Sequence, residues 1–245
     1  MKIRSLAAVA AYLLVLLAVT GINAEDKKPE VPAKDAPVKD APAKKDDKVL
    51  SLFNGKNLEG WEISNFGGEG EVTVEDGTLL VDFGADLSGV TWKNADVLPK
   101  TNYEITLEAK RVEGSDFFCG LTFPVKTDSC SLILGGWGGG VCGLSSIDGN
   151  DASENATTLY REFKSGQWYK IKLRVTDDRI NAWIDEKEMI DADIKGKKIS
   201  IRGEVEQSKP LGLATYRTRG AFRKISLRRL DEAEVKAAAA GSDKK

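Results

Sequence analysis

The sequence predicts an all-β domain in which two antiparallel sheets stack as a sandwich. Three observations favour this fold class. Apolar and polar residues alternate, with the period of a strand, in residues 103–110, 171–175 and 180–185. Turn-forming residues such as Glu75-Asp76-Gly77 separate the periodic segments, and no internal stretch has a convincing helical period. Many short strands joined by tight turns are typical of an antiparallel sandwich.

A closed barrel is the alternative arrangement. About a dozen strands favour two stacked sheets, because a barrel that wide would need its interior filled by something else. The turn at Phe53-Asn54-Gly55-Lys56 is predicted to let Phe53 and Trp61 enter the core. Further strands are predicted at 71–75, 78–83, 88–92, 116–124, 130–135, 141–146, 199–206, 211–216 and 222–230.

The start of the chain has the pattern of an export signal. Lys2 and Arg4 precede an apolar stretch that runs to Val19, and Ala24 supplies a small residue for cleavage. This pattern predicts a signal peptide over residues 1–24 and a secreted or periplasmic protein. An uncleaved anchor is the alternative, but the stretch is shorter than the roughly 20 residues that span a bilayer. We therefore expect no membrane span after cleavage.

Composition divides the rest of the chain into three parts. Residues 25–48 repeat an Asp-Ala-Pro-x-Lys unit without any aromatic residue, which predicts a disordered linker rich in Pro, Ala and Lys. Residues 231–245 contain mainly Ala, Glu and Lys and are expected to form a disordered or frayed helical tail. The folded unit is therefore residues 49–230, which are enough for a single substantial core.

Charge and histidine content exclude several classes of function. The 36 Lys and Arg residues nearly balance 38 Asp and Glu residues, so there is no net basic field for a phosphate backbone, and nucleic acid is not an expected partner. The chain has no histidine, so mechanisms that use imidazole as a base or metal ligand are excluded. Any chemistry must use carboxylates, Tyr, Lys, Arg, Cys or the backbone.

Several segments resemble a known family. The opening Ser51-Leu52-Phe53-Asn54-Gly55-Lys56-Asn57-Leu58-Glu59-Gly60-Trp61 resembles the first motif of the 3-keto-disaccharide hydrolase family. Residues 166–175, 180–185 and 210–225 resemble its closing strands. The resemblance implies a concanavalin A-like jelly roll whose concave sheet binds an oxidised disaccharide or glycan, in an exported bacterial protein. A noncatalytic lectin-like module and a tethered interaction domain are the alternatives.

The reaction that the resemblance implies is compatible with a chain that lacks histidine. A ketone at carbon 3 of the sugar acidifies the proton on carbon 2, so a carboxylate or tyrosinate can remove it while the glycosidic oxygen leaves carbon 1. On the predicted strand 199–206, Arg202, Glu204 and Glu206 should share one face. We expect Glu204 to be the base and Arg202 to stabilise negative charge. A solvated face with surface ion pairs is the alternative.

Other candidates follow from the same strand pattern. Glu108 and Asp116, on adjacent predicted strands, form a second catalytic pair, or else belong to a solvated hairpin. The substrate-binding candidates are aromatic, acidic or basic residues outside the predicted core, and Trp183 could instead pack at a strand edge. They are Trp137, Trp183, Asp185, Glu206 and Arg217.

Two predictions concern metal and sulfur. Asp148, Asp151 and Glu154 could offer oxygen ligands to Ca²⁺, although polar turn residues explain the same pattern, and no cofactor is certain. Cys119, Cys130 and Cys142 fall on successive predicted strands, so either two neighbours form a disulfide or all three are small buried apolar residues.

Overall fold

The computed structural model describes residues 49–240, and it consists mainly of two antiparallel β-sheets. The predicted signal peptide, the predicted linker and residues 241–245 lie outside the described residues. The two sheets are not closed into a barrel, so the predicted two-sheet sandwich is confirmed as a jelly roll.

The larger sheet has eight strands, here called the eight-stranded sheet. Its strands are β1 (Leu50–Ser51), β3 (Val72–Glu75), β4 (Thr78–Val81), β6 (Tyr103–Gly114), β11 (Trp168–Val175), β12 (Arg179–Ile184), β13 (Lys187–Asp193) and β15 (Thr218–Arg229). Their order is β13-β12-β11-β6-β15-β4-β3, and β1 pairs with β15 beside this path.

The seven-stranded sheet covers the other side of the core. Its strands are β2 (Trp61–Ile63), β5 (Leu87–Trp92), β7 (Cys119–Val125), β8 (Asp128–Gly136), β9 (Val141–Ser145), β10 (Leu159–Tyr160) and β14 (Gly212–Tyr216). Their order is β10-β9-β8-β7-β14-β5-β2. Short 3-10 helices occupy Ala95–Val97 and Gly203–Ser208.

The core lies between the two sheets, because every second side chain of a strand points toward the opposite sheet. Tyr103, Ile105 and Leu107 on β6 are buried, as the period-two pattern predicts. The Tyr103 hydroxyl donates a hydrogen bond of 2.5 Å to the carbonyl of Pro124 on the opposite sheet. This bond satisfies the polar end of a fully buried ring and ties the two sheets together.

The opening turn places two aromatic side chains in this core. The Asn54 side-chain oxygen accepts hydrogen bonds from the backbone N–H groups of Lys56 and Asn57, which closes the turn. Phe53 and Trp61 are both buried, and the Trp61 indole donates to the Leu52 carbonyl at 2.6 Å. The prediction that both aromatic residues enter the core is confirmed.

One predicted strand is wrong. Residues 199–206 do not form a strand: Ile199 makes an isolated bridge to Ile147, Ser200 exchanges backbone hydrogen bonds with Ser146, and the 3-10 helix then begins at Gly203. An alternation of apolar and polar residues does not by itself place a second strand beside the segment, and a β-ladder requires such a partner.

The three cysteines are free thiols, and all are buried. The structure thus agrees with small buried apolar residues and not with a disulfide. Burial raises the pKa of Cys142 to about 11 and that of Cys130 to about 12, so neither is a thiolate near neutral pH.

The C-terminal segment forms a docked helix, α1 (Glu232–Ala240). The Asp231 side chain accepts from the Glu234 N–H at 2.7 Å, and the Glu234 side chain accepts from the Asp231 N–H at 3.0 Å, which is a reciprocal cap. Arg228 on β15 donates to both oxygens of Glu234 at 2.9 Å and also contacts Glu104 on β6. Residues 232–240 therefore form a helix that is anchored to the sheet. Within residues 49–240, no helix combines the length and the apolarity needed to cross a membrane.

Acidification should release α1 from the sheet. The hydrogen bonds from Arg228 lower the pKa of Glu234 to about 2 from an ordinary 4.5. Because the folded-state pKa is depressed, this stabilisation is complete above about pH 4.5 and is lost as the pH falls through about 2. NMR Cα shifts of residues 232–239, followed through this range, should move toward random-coil values.

Glu234→Ala should loosen α1 already at neutral pH, whereas Glu232→Ala, at an exposed position on the same turn, should not. Helical shifts in Glu234→Ala equal to those of the unchanged protein would contradict the anchoring role.

Candidate functional site

A cleft of about 300 Å³ lies on the outer face of the seven-stranded sheet, and we call it the main cleft. Its floor includes Ser131 and Ile133 of β8 and Ser145 of β9. The strand register places Ser131 between Thr122 and Ser145, and the hydroxyls of Thr122 and Ser131 are 2.8 Å apart. The floor therefore presents a short row of hydroxyl groups beside an apolar side chain.

Aromatic side chains form one wall of the main cleft. Phe117 and Tyr216 stack with ring centres 5.9 Å apart. Gly120 makes room for this wall, because a Cβ there would come within 3.0 Å of the Phe117 ring. Trp137 also lines the cleft and is 45% exposed, so its indole is available to a ligand.

Asp116 lies at the base of this wall, and backbone hydrogen bonds fix its carboxylate. One oxygen accepts from the Phe117 N–H at 2.7 Å and the other accepts from the Gly138 N–H at 3.1 Å. The Asp116 N–H donates to the Thr218 hydroxyl at 3.0 Å. The carboxylate is thus held in one orientation and is tied to the glycine-rich turn that carries Trp137.

A buried arginine supports the same turn from below. The Arg111 guanidinium donates to the backbone carbonyls of Asp116, Gly135 and Gly139 at 3.0, 3.2 and 3.0 Å, and to that of Phe163 at 3.3 Å. Gly135 has a φ of +77° and a Cβ there would lie 2.5 Å from the guanidinium, so glycine is required at this position. Arg111 therefore positions both Asp116 and Trp137.

The opposite wall is the 3-10 helix Gly203–Ser208 with its preceding residue. Arg202 lies 2.6 Å from Glu204 and 2.5 Å from Asp151, so one guanidinium bridges two carboxylates. Hydrogen bonding and charge from Arg202 lower the pKa of Glu204. For Asp151, burial acts to raise the pKa, but hydrogen bonds from Ser153 and Arg202 lower it overall.

The wall is attached to the sheet through a threonine. The Thr91 hydroxyl on β5 donates to the Gln207 carbonyl at 2.5 Å. Arg202, Glu204 and Val205 line the cleft, whereas Glu206 pairs with Lys209 at 2.7 Å and does not line it. The prediction that Arg202, Glu204 and Glu206 share one strand face is wrong, because the segment is a 3-10 helix and not a strand.

The second predicted catalytic pair is also separated. Glu108 lies on β6 of the eight-stranded sheet and forms ion pairs with Arg223 at 2.6 Å and Lys224 at 2.8 Å, whereas Asp116 lines the main cleft on the other sheet. Burial acts to raise the pKa of Glu108, but its hydrogen bonds to Lys224 and Arg223 lower it overall. The pair fails because β6 extends to Gly114, so that Asp116 begins a connection to the other sheet and not a hairpin partner of Glu108.

The remaining substrate-binding candidates divide between the two sheets. Arg217 lies at the aromatic wall, 5.3 Å from the Tyr216 ring centre, and pairs with Asp86 at 2.7 Å. Trp183 and Asp185 belong to β12 and the turn after it, on the eight-stranded sheet, where Asp185 pairs with Arg161 at 3.1 Å. Of these candidates, only Trp137 lines the main cleft. Arg217 contacts the aromatic wall from outside the lining, and Trp183, Asp185 and Glu206 lie elsewhere.

Two of the three carboxylates considered for Ca²⁺, those of Asp148 and Asp151, have other partners. Asp148 pairs with Lys197 at 2.9 Å, Asp151 contacts Arg202 and Ser153, and the Glu154 N–H donates to the Asp151 carbonyl. Among residues 49–240 there is no group of three or more His, Cys, Asp or Glu side chains that could hold a metal ion. The expected ligand set is therefore not assembled.

Sequence reasoning missed several residues of the site. Phe117, Tyr216, Ser131 and Ser145 meet only through the strand order of the seven-stranded sheet, which the sequence does not state. Arg111 could have been found from the sequence, because it continues an inward-facing series on β6. The earlier members of this series are Tyr103, Ile105, Leu107 and Ala109. A charged residue at a core-facing position requires buried partners.

Solved structures with a similar fold are numerous. A sialidase aligns with 76% of this chain and 19% of its own, at 11% identity and a TM-score of 0.52. The Crh5 transglycosylase in complex with NAG aligns with 75% of this chain and 84% of its own, at 10% identity and a TM-score of 0.51. Domain 4 of AbnA, a GH43 extracellular arabinanase from Geobacillus stearothermophilus, aligns with 78% of this chain and 96% of its own, at 15% identity and a TM-score of 0.49. At such identities the likenesses to the sialidase and to the transglycosylase show the fold alone.

Sequence comparison identifies the family. No curated protein matches the chain. A family model described as a 3-keto-alpha-glucoside-1,2-lyase-like domain matches residues 48–228, which is nearly the whole described domain. The resemblance seen in the opening motif and the closing strands is thus confirmed, and the chain belongs to the family of 3-keto-alpha-glucoside-1,2-lyase-like domains.

Proposed function

We propose that this domain is an exported enzyme that cleaves a 3-keto-glycoside in the main cleft. The observation that carries the proposal is the meeting of Glu204, Arg202 and Asp116 with the aromatic side chains of Tyr216 and Trp137 around one cavity. At about 300 Å³ this cavity is at the lower end of the range for small-molecule sites. The family membership and the lack of histidine favour carboxylate chemistry there.

The proposed reaction is an elimination across carbons 1 and 2 of the keto sugar. A base removes the proton from carbon 2, and the electron pair of that bond is delocalised onto the carbon 3 oxygen as an enolate. The enolate then re-forms the ketone as a double bond forms between carbons 1 and 2. The bond from carbon 1 to the glycosidic oxygen breaks, and that oxygen takes up a proton. Addition of water to the double bond would complete a net hydrolysis.

Glu204 is assigned as the base. Its carboxylate lines the main cleft and is ionised at neutral pH, as a proton acceptor must be. Arg202 contacts this carboxylate at 2.6 Å and is therefore near the negative charge that develops as the proton leaves. Tyr216 contributes a phenolic O–H to the same cleft and is assigned as the donor to the leaving oxygen.

Asp116 and the aromatic wall are assigned to binding. The fixed carboxylate of Asp116 can accept hydrogen bonds from sugar hydroxyls, because each of its oxygens already has a backbone donor that sets its orientation. The exposed indole of Trp137 can cover an apolar sugar face. The serines of the floor add hydroxyl groups below the ring.

Replacing Glu204 should abolish most of the turnover. Glu204→Gln removes the proton acceptor and keeps the shape of the side chain, so the rate should fall by roughly 10²- to 10⁴-fold. Mass spectrometry of products from a 3-keto-disaccharide measures this rate. Glu206→Gln is the matched control, since Glu206 lies on the same 3-10 helix but pairs with Lys209 outside the cleft. Equal rates in the two variants would remove Glu204 from the mechanism.

Replacing Trp137 should weaken substrate binding. Trp137→Ala removes an aromatic contact, which corresponds to about 0.5–1.5 kcal/mol in the binding free energy of the 3-keto-disaccharide. Isothermal titration calorimetry on the Glu204→Gln background measures binding without turnover. Trp183→Ala, on the other sheet, should leave this affinity unchanged. Loss of affinity in Trp183→Ala alone would move the binding site to the eight-stranded sheet.

Binding without turnover in the unchanged protein, across several 3-keto-glycosides, would favour the lectin-like alternative.

A further inference from the structure

A second hollow, of about 320 Å³, lies on the outer face of the eight-stranded sheet. It is lined by Lys170 and Lys172 of β11, Trp183 of β12, Glu108 of β6, and by Lys224 and Glu186. We call it the lysine hollow. It lies on a different sheet from the main cleft, and none of its lining residues lines that cleft.

The strand period and register bring these side chains together. Lys170 and Lys172 alternate with the buried Ile171, so both point to the outer face. The register pairs Lys172 with Trp183 and Lys170 with Glu108. The Lys172 ammonium lies 4.0 Å from the centre of the Trp183 ring. An aromatic surface and two cations are therefore adjacent within one concave site.

The charge of the lysine hollow is positive although the chain has a net charge of −2. Glu108 is buried and its two oxygens are already paired, one with Arg223 and one with Lys224. Its one negative charge is therefore exceeded by the two positive charges that pair with it. Lys170 and Lys172 add two more positive charges, and Glu186 at the exposed rim contributes one negative charge. The local excess of cations beside an indole ring favours a ligand that carries both an anionic group and an apolar ring face.

We propose that the lysine hollow binds a hexuronate unit of an acidic polysaccharide. The sugar carboxylate would draw the Lys172 ammonium away from the Trp183 ring to pair with it and with Lys170. A face of the pyranose ring would then lie on the uncovered indole. A nucleic acid fits less well, because tight phosphate-backbone binding uses roughly 6–10 phosphate contacts and this hollow has few cations that are not already paired. Since the two sites lie on different sheets, the hollow can hold the domain on an acidic polymer while the main cleft remains open.

The probe for this site is trigalacturonate, with its fully methyl-esterified form as the neutral match. Calorimetry on the purified protein should show binding of the acid form that weakens with added salt, and little binding of the ester. The K170Q/K172Q double variant should bind the acid form roughly 2- to 30-fold more weakly, and Trp183→Ala about 2- to 10-fold more weakly. Lys93→Gln, at an exposed lysine beside β5 on the other sheet, should bind it normally.

Two further measurements make the outcome decisive. Trigalacturonate should shift the Trp183 indole N–H in NMR spectra of the unchanged protein and leave that of Trp137 in place, a result that does not depend on the folding of any variant. Absence of binding, equal affinity for the ester, or unchanged affinity in K170Q/K172Q would overturn the proposal. Tighter binding of an oligothymidylate at the same salt concentration, lost in the same variant, would also overturn it and assign this face to nucleic acid.

Discussion

The buried guanidinium of Arg111 is the interaction on which the main cleft depends. Its side chain donates to four backbone carbonyls, from Asp116, Gly135, Gly139 and Phe163, and burial lowers its pKa. A buried charge is costly unless hydrogen bonds replace its water, and an unpaired buried carbonyl costs about 1–3 kcal/mol. The buried guanidinium therefore needs these carbonyl oxygens as hydrogen-bond acceptors, and the buried carbonyl oxygens need the guanidinium as their donor. Removing either would take away the hydrogen bonds from Arg111 to Gly135 and Gly139 that help to position the turn that carries Trp137.

The need to bring backbone carbonyls close to Arg111 explains why the wall that carries Trp137 contains glycines and an aspartate of fixed orientation. The turn has to approach Arg111 closely, which excludes a Cβ at Gly135, and it returns toward Asp116, whose carboxylate accepts the Gly138 N–H. Asp116 is thus held on both sides, by its carbonyl on Arg111 and by its carboxylate on the turn. The opposite wall, with Arg202 and Glu204, is more exposed. It is held by the hydrogen bond from Thr91 to Gln207 and by exposed ion pairs, which contribute little stability.

Most strands could be predicted from the sequence, because a strand with one buried face has an apolar residue at every second position. Tyr103, Ile105 and Leu107 are an example. The sequence predicted the site less well because sites form between segments that are distant in sequence. Arg202 and Glu204 were identified as functional candidates, and both line the cleft, but the alternation around them came from a 3-10 helix. Glu108 and Asp116 are close in sequence and separated in space, since the chain passes from one sheet to the other between them. Strand order, which decides such cases, depends on long-range pairing that local patterns do not contain.

The arrangement of Arg202 also suggests how proton transfer and charge stabilisation are coupled in the proposed reaction. Before the reaction, the guanidinium is shared between the carboxylates of Asp151 and Glu204, so little of its positive charge is available to a ligand. When Glu204 accepts the proton from carbon 2, its negative charge disappears, and its attraction for Arg202 falls at the moment when the enolate forms. The guanidinium can then interact more strongly with the new oxyanion, while Asp151 continues to hold it in place. Stabilisation that appears only as charge develops lowers the barrier and does not merely tighten substrate binding, so the shared ion pair is better suited to catalysis than an isolated arginine would be.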